Sequence, residues 1–365
     1  MSLARGLADV RTPDGSPEFE VTAVTQTPRG DFDDGALPFQ IVRRPGFWRL
    51  WQLVREADIV HIAGPALLPL VAGLLFRKPV VIEHHGFQAI CPTGQLLIES
   101  RGEPCPGHFM AGRWAECWRC DPNLNWVAAR KLWLLTFVRR WLCKRAASNI
   151  MPTGWLGEQL RLPHATTINH GLIPIRPAVE MNATLHSTPL IAFQGRLVST
   201  KGADILLDAA KLLAANGCEF RIVIVGDGPE REKLEVSAAQ PPLAGRVKFT
   251  GRVTAPELED ILQGASIVVV PSLGGEVFGL VVAENMLRGL AVIASDLGAF
   301  VEVMGDSNAH FKTGDAAALA ECLAKLIGDP RTVRQLAAAG MARAKGLYEI
   351  QPMILAHAQE YRRIR

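Results

Sequence analysis

Short β-branched runs alternate with longer helical stretches along most of this chain, and that alternation leaves few folds open. EFEVTAVTQ, FQIVRR, DIVHIA, PVVIEHHG, SNIMPT and ATTINHG read as strands. Between them, FWRLWQLVREA, ALLPLVAGLLF, LNWVAARKLWLLTFVRRWLCKRAA and GWLGEQLRL read as helices. Alternation of this kind predicts an α/β fold with parallel strands covered on both faces. From Gly171 to Thr188 the chain is Pro-rich and aperiodic, as a domain linker is. A second βα series runs from Pro189 to about Gly346. At 365 residues the chain has room for two domains. The expected plan is a Rossmann-like domain over 1–171, with a cysteine-rich insertion at 91–120, then a linker at 172–188. A second Rossmann-like domain follows over 189–346, and a closing helix over 347–365 on which Ile354, Leu355, Ala358 and Tyr361 share a face.

Two carboxylates draw attention within the second series. Glu276 and Glu284 bracket a glycine-bearing turn in PSLGGEVFGLVVAE. SIVVVPS before them reads as a buried strand, and helical spacing begins after Gly279. Strand end and helix start then form a crevice, with the amides of Phe278, Gly279 and Leu280 and the positive end of the helix dipole suited to an anion. Glu276 stands at its mouth. Glu284 lies about one turn into the helix, where a carboxylate accepts the hydroxyl hydrogen bonds that a ribose offers. PLIAFQGRLVSTKGADILLDAAKLL is a second strand, turn and helix. Gly195 lets that backbone turn, and Arg196 and Lys201 put two cations beside the next helix start. Together the two turns suit a nucleotide diphosphate.

At these residues the chain resembles a known family. GRLVSTKG, IVIVGDGPEREKLE, VKFTGRV and EVFGLVVAE, in that order, are similar to the donor-binding half of family-4 retaining glycosyltransferases of the GT-B fold. The resemblance implies two Rossmann-like domains facing a central cleft, with the last helix crossing back to the N-terminal domain. It implies transfer of a sugar from a nucleotide-diphosphate sugar to a glycan or lipid-linked acceptor, with retention and without a metal for catalysis. His85, at the end of VVIEHHG, resembles the family histidine that contacts the donor sugar; Glu276 matches the carboxylate on the sugar hydroxyls. Arg196 and Lys201 would stabilise the phosphate as charge grows on it. Arg252 and Val253, in FTGRV, resemble the segment that meets the base. His61, His164 and His170 read as structural, and His84 as packed. The chain opens inside what resembles the family's first helix, so an N-terminal truncation is expected. The alternatives are a non-catalytic nucleotide-sugar-binding relative that has lost its acceptor loop, and a sugar-nucleotide epimerase. A dinucleotide oxidoreductase is disfavoured because no G-x-G-x-x-G follows the first strand.

Four of the seven cysteines, Cys91, Cys105, Cys117 and Cys120, fall in one Gly- and Pro-rich stretch, the last two as C-W-R-C. Clustered thiols of this spacing point to a structural zinc, with a redox pair or unligated thiols as alternatives. DFDDG, with Asp31, Asp33 and Asp34, reads as a turn rather than a metal site. A net charge of +3 gives no argument for nucleic acid. Residues 122–157 contain no acid but carry Arg130, Lys131, Arg139, Arg140, Lys144 and Arg145 among Trp126, Trp133 and Trp141. Such a helix suits an anionic membrane surface, or else simply covers the sheet. The first residues lack the apolar core of a signal peptide, so a cytoplasmic location is expected, with peripheral attachment to the inner face of the membrane.

Overall fold

The structure, a computed structural model, describes residues 2–28, 33–173, 175, 188–305 and 309–365. Most of the expected linker, and Asp31, lie outside the described residues. The chain forms two compact units. The first comprises Met1–His85, Phe137–Pro174 and Tyr348–Arg365; the second comprises Gly86–Thr136 and Ile175–Leu347.

In the first unit, β1 (Thr22–Thr25) and β2 (Gln40–Arg43) form a two-stranded parallel ladder. β3 (Val60–Ala63) and β4 (Val80–Glu83) begin a second parallel sheet. The chain then enters the insertion, which holds the short antiparallel hairpin β5 (Leu97–Ile98) and β6 (Glu103–Pro104). β7 (Ser148–Met151) and β8 (Ala165–Thr167) complete the order β3-β4-β7-β8. The N-terminal strands are therefore split between two sheets among the described residues. Burial is deepest at the centre of the larger sheet: β4 and β7 are buried at every residue, whereas β1 alternates between exposed and half-buried.

The helix Ile350–Ile364 closes this unit's core, packing Met353, Ile354, Ala358 and Tyr361 with Leu7, Val81, Ile150 and Ile168. Leu355, expected on that face, is 53% exposed. The stripe that starts at Ile354 runs through His357, Ala358 and Tyr361, the i, i+3, i+4, i+7 positions, and residue 355 stands about 100° away from it.

The second unit is built on six parallel strands: β9 (Leu190–Gln194), β10 (Arg221–Val225), β11 (Val247–Gly251), β12 (Ile267–Val270), β13 (Ala291–Ser295) and β14 (Ala309–Phe311). Their order is β11-β10-β9-β12-β13-β14. The chain winds outward one way from β9 and the other way from β12, so the topological switch point lies between these two, where open sheets of this kind bind ligands. Ile191, Phe193, Ile222, Ile224, Ile267 and Ile293 from the strands meet Leu206, Leu207, Ala210 and Leu213 of the helix Ala203–Ala215 in one core. Each of the Ile, Leu and Phe side chains contributes roughly 1.5–3 kcal/mol by burial.

The insertion clusters with this unit rather than with the N-terminal domain where the expected boundaries put it. Gly275 N–H donates to Gln95 O at 2.7 Å, and the Ser199 hydroxyl to Glu99 at 3.3 Å. A loop with few core-forming residues of its own settles where it finds partners.

One turn at the strand ends has no tolerance for a side chain. Gly226 has φ +139°, and a Cβ there would lie 1.8 Å from Gly195 O. Gly217 also has positive φ but nothing within 4 Å. We expect Gly217→Ala to cost about 1–2 kcal/mol and Gly226→Ala distinctly more, in denaturant unfolding. Equal losses would mean that the Gly226 turn relaxes freely.

Candidate functional site

The turns after β9, β10, β11 and β12 share the carboxyl edge of the second unit's sheet, because all four strands are parallel. They bring most of the sequence-derived residues to that edge. Gly195 follows β9 and donates its N–H to Val225 O at 3.0 Å. Arg196 is exposed and, among the described residues, makes no ion pair. A short 3-10 turn, Ser199–Lys201, leads to Gly202 at φ +65°. A Cβ on Gly202 would lie 2.0 Å from Pro271 O, so this residue lets the β9 and β12 turns touch. Leu273 N–H donates to Thr200 O at 2.8 Å across the same seam.

The contact has a polar centre. Lys201 Nζ meets Glu276 Oε1 at 2.5 Å, and the Ser272 hydroxyl donates to the same oxygen at 3.0 Å. Ser272 is fixed in turn through its carbonyl, which accepts from the buried Ser295 hydroxyl at 2.6 Å. Lys201 and Glu276 were separate expectations, a phosphate cation and a sugar carboxylate. The fold pairs them, with side chains 33% and 13% exposed. A partly exposed pair of this kind has its geometry set while a face stays open to a ligand.

Gly279 caps the helix Leu280–Leu287, whose first internal bond runs from Ala283 N–H to Gly279 O at 3.1 Å. The amides of Leu280, Val281 and Val282 thus have no acceptor within the helix. Phe278 is buried, whereas the Leu280 side chain is exposed. Glu284 lies on this helix beside the end of β9. Burial pushes its carboxyl up, Arg288 opposes that, and Glu259 adds to it. Arg288 holds Glu259 through Nε and Nη2 and stands 3.9 Å from Glu284. Asn285, fully buried, donates to Gln194 Oε1 at 3.2 Å and ties the same helix to the β9 end. Arg252 and Val253 follow β11, the outer strand, with Arg252 exposed.

His85 belongs to the first unit, beyond the end of β4, with its side chain 43% exposed. Its neighbour His84 is packed, with Nε2 2.9 Å from Asn149 Oδ1. Sequence reasoning missed what surrounds His85. Glu83, the last residue of β4, is buried and ringed by four imidazoles. His61 Nε2 lies at 3.2 Å, His170 Nδ1 at 3.4 Å, His357 Nε2 at 3.8 Å and His85 Nε2 at 3.9 Å from its carboxylate. His85 and His170 stack at 5.3 Å, and His61 also meets the Tyr361 hydroxyl at 2.5 Å. Burial alone would raise the Glu83 carboxyl, but contacts from His357 and His61 outweigh it and hold the group far below the usual range. The available signal was an acid inside the apolar run VVIE, since a buried charge needs partners.

Cys91, Cys105, Cys117, Cys120 and His108 line one small pocket in the insertion. Burial first, and then the neighbouring thiols, push Cys117 up to about 12 and Cys120 to about 11. Asp33 and Asp34 are engaged elsewhere, Asp33 accepting from Gly35 N–H at 3.0 Å and Asp34 pairing with Arg43 at 2.7 Å.

Burial lowers His84 and His170 from 6.5 to about 4. Between those values the unfolded chain takes up protons that the folded protein refuses, so stability falls as pH drops through that window. We expect the denaturant midpoint to decline from about pH 6.5 towards pH 4, and less steeply in His84→Gln. A midpoint that stays flat there means these imidazoles are not held neutral.

Residues 180–343 match the family model for glycosyl transferases group 1. The chain is 30% identical over 174 residues to 2-deoxystreptamine glucosyltransferase of Streptomyces kanamyceticus, covering 46% of this chain and 45% of the relative. It is 38% identical over 146 residues to phosphatidyl-myo-inositol mannosyltransferase of Mycolicibacterium smegmatis, covering 40% and 36%. The matched stretch thus spans less than half the length of these relatives. Among solved structures, sucrose-phosphate synthase from Thermosynechococcus elongatus superposes with a TM-score of 0.71 at 20% identity, covering 99% of this chain and 91% of that one. Anabaena HepE in complex with UDP-glucose gives 0.67 at 18% identity, covering 90% and 86%. The chain therefore has the α/β fold seen in GT-B glycosyltransferase structures, and the glycosyl transferases group 1 model matches its residues 180–343, a little under half of its length.

Proposed function

We propose that the protein is a family-4-like retaining glycosyltransferase. It moves a hexose from a nucleotide-diphosphate sugar to a glycan or lipid-linked acceptor. The observation that carries this reading is the Lys201–Glu276 pair at the switch point, built on two turns held in contact by Gly202. Lys201 and the exposed Arg196 supply charge for a diphosphate, and the open first turn at Leu280 supplies amides. Glu276 would accept sugar hydroxyls and Glu284 the ribose. Gly195, Phe278 and Gly279 shape the floor, and Arg252 with Val253 would meet the base. His85 is taken as a donor-sugar contact on the strength of the resemblance alone. HepE is a structural neighbour in complex with UDP-glucose, which supports a donor of that class. Catalysis as read here needs no metal.

Titration with UDP, GDP, ADP and their sugars tests the site. One nucleotide should bind selectively, and Arg196→Ala with Lys201→Ala should weaken it on the order of 100- to 10,000-fold, since hydrogen bonds to charged groups contribute about 1.5–3 kcal/mol each. Glu276→Gln should keep the nucleotide and lose transfer. No binding by any nucleotide would refute the donor site. Binding without transfer to any acceptor would favour the non-catalytic relative.

We further propose peripheral attachment to an anionic membrane surface on its cytoplasmic side. The helix Trp126–Cys143 exposes Val127, Leu134, Val138 and Trp141 along one face, with exposed Arg130 and Lys131 beside them. Arg145 lies over the Trp141 ring at 3.5 Å. No helix among the described residues is long and apolar enough to cross a membrane. Co-sedimentation with phosphatidylserine vesicles should exceed that with phosphatidylcholine, fall with salt, and drop in Trp126→Ala with Trp141→Ala. Equal partition to both vesicles would leave the helix a simple cover for the sheet.

A further inference from the structure

The insertion between Gly86 and Thr136 does more than fill a gap. Its hairpin presses on the loop that carries Glu276. Gly275 N–H donates to Gln95 O at 2.7 Å, the Leu97 side chain covers Gly274, and Ser199 reaches Glu99 at 3.3 Å. Both turns of the switch point therefore have a contact on this hairpin. Yet the hairpin has only two residues in each strand and a small apolar base. A ladder so short is not stable on its own.

The four cysteines stand at the hairpin's supports. Cys91 N–H donates to Phe87 O at 2.8 Å and Cys91 O accepts from Gly94 N–H at 3.1 Å, fixing the approach to β5. Cys105 follows β6, and its N–H donates to Leu96 O at 2.8 Å. Cys117 lies on the short helix Trp114–Trp118, and Cys120 follows it. Cys120 touches the hairpin twice: its thiol donates to Leu97 O at 3.0 Å, and its carbonyl accepts from Ser100 N–H at 3.0 Å. All four side chains line one pocket, with His108 on its wall. None of the seven cysteines is in a disulfide.

We propose that Cys91, Cys105, Cys117 and Cys120 ligate a structural zinc ion, and that this ion fixes the hairpin bracing the Lys201–Glu276 site. The second clause rests on the reading of that site given above. Thiolate-rich tetrahedral sets of this spacing select zinc, at about 2.3 Å from each sulfur. Among the described residues, no three of these sulfurs lie within 4.8 Å of one another, so ligation requires the thiols to draw closer together. Each ligating thiol gives its proton to solvent as its S–Zn bond forms, and no oxidant or reductant is needed. Four protein ligands leave the ion no open position, so its role is to hold structure.

The test uses the full chain, expressed with zinc and dialysed, with metal content read by mass spectrometry. About one equivalent of zinc per chain is expected, and none in Cys117→Ser with Cys120→Ser. Cobalt loaded in its place should show a thiolate charge-transfer band. A chain without metal, a chain holding iron, or zinc retained in the double variant would each overturn the site. The bracing role is read separately, with the tightest binder among UDP, GDP and ADP. Removing zinc with a chelator should weaken that nucleotide at least about tenfold, and restoring zinc should recover it. Unchanged affinity would overturn the bracing while the metal count stands. No nucleotide binding even with zinc in place would count against the donor site instead.

Discussion

The candidate site depends on one close approach: the Gly202 backbone against the carbonyl of Pro271. These residues follow β9 and β12, the pair at which the sheet changes winding direction. A side chain at position 202 would force the two turns apart by more than an ångström. With the turns in contact, Lys201 falls within reach of Glu276, and Ser272 and Ser295 fix the carboxylate from behind. The chemistry at the edge is thus downstream of a steric condition. Charge and hydrogen bonding then refine a geometry that backbone contact has already set.

The second unit was largely legible in the sequence. Strands β10 and β12 are rich in β-branched residues, β9 closes on Gly195, and the helix Ala203–Ala215 carries a regular apolar stripe, so local preference and tertiary burial agree there. The turns of the candidate site were legible for the same reason, as glycines and charges sit at fixed offsets from strand ends. What the sequence did not display was pairing at a distance. That Lys201 would meet Glu276 depends on the order of strands, which no local window encodes. The hairpin β5–β6 was also hidden, because two-residue strands carry no periodic signal.

The first unit was harder to read. Its strands were recognisable one by one, yet their separation into two sheets was not, because which strands pair is set by tertiary contacts that no local window holds. The Glu83 cluster draws on β3, β4, the stretch after β8 and the last helix, residues up to 296 positions apart, as His61 and His357 are. Apart from His85, each histidine of the cluster looked ordinary in its own segment. Only the acid in an apolar strand hinted that partners had to come from elsewhere, and nothing local said which.

The first unit is also assembled from three separate stretches of chain, and the last supplies Met353, Ile354, Ala358 and Tyr361 to its core. That order has a consequence during synthesis. Strands β3, β4, β7 and β8 leave the ribosome well before the helix that covers them. The second unit, made later, has its whole sheet and core available first. The face of this sheet that the helix covers therefore awaits its cover while the second unit is made. A nascent chain of this kind calls for a chaperone on the first unit rather than on the second.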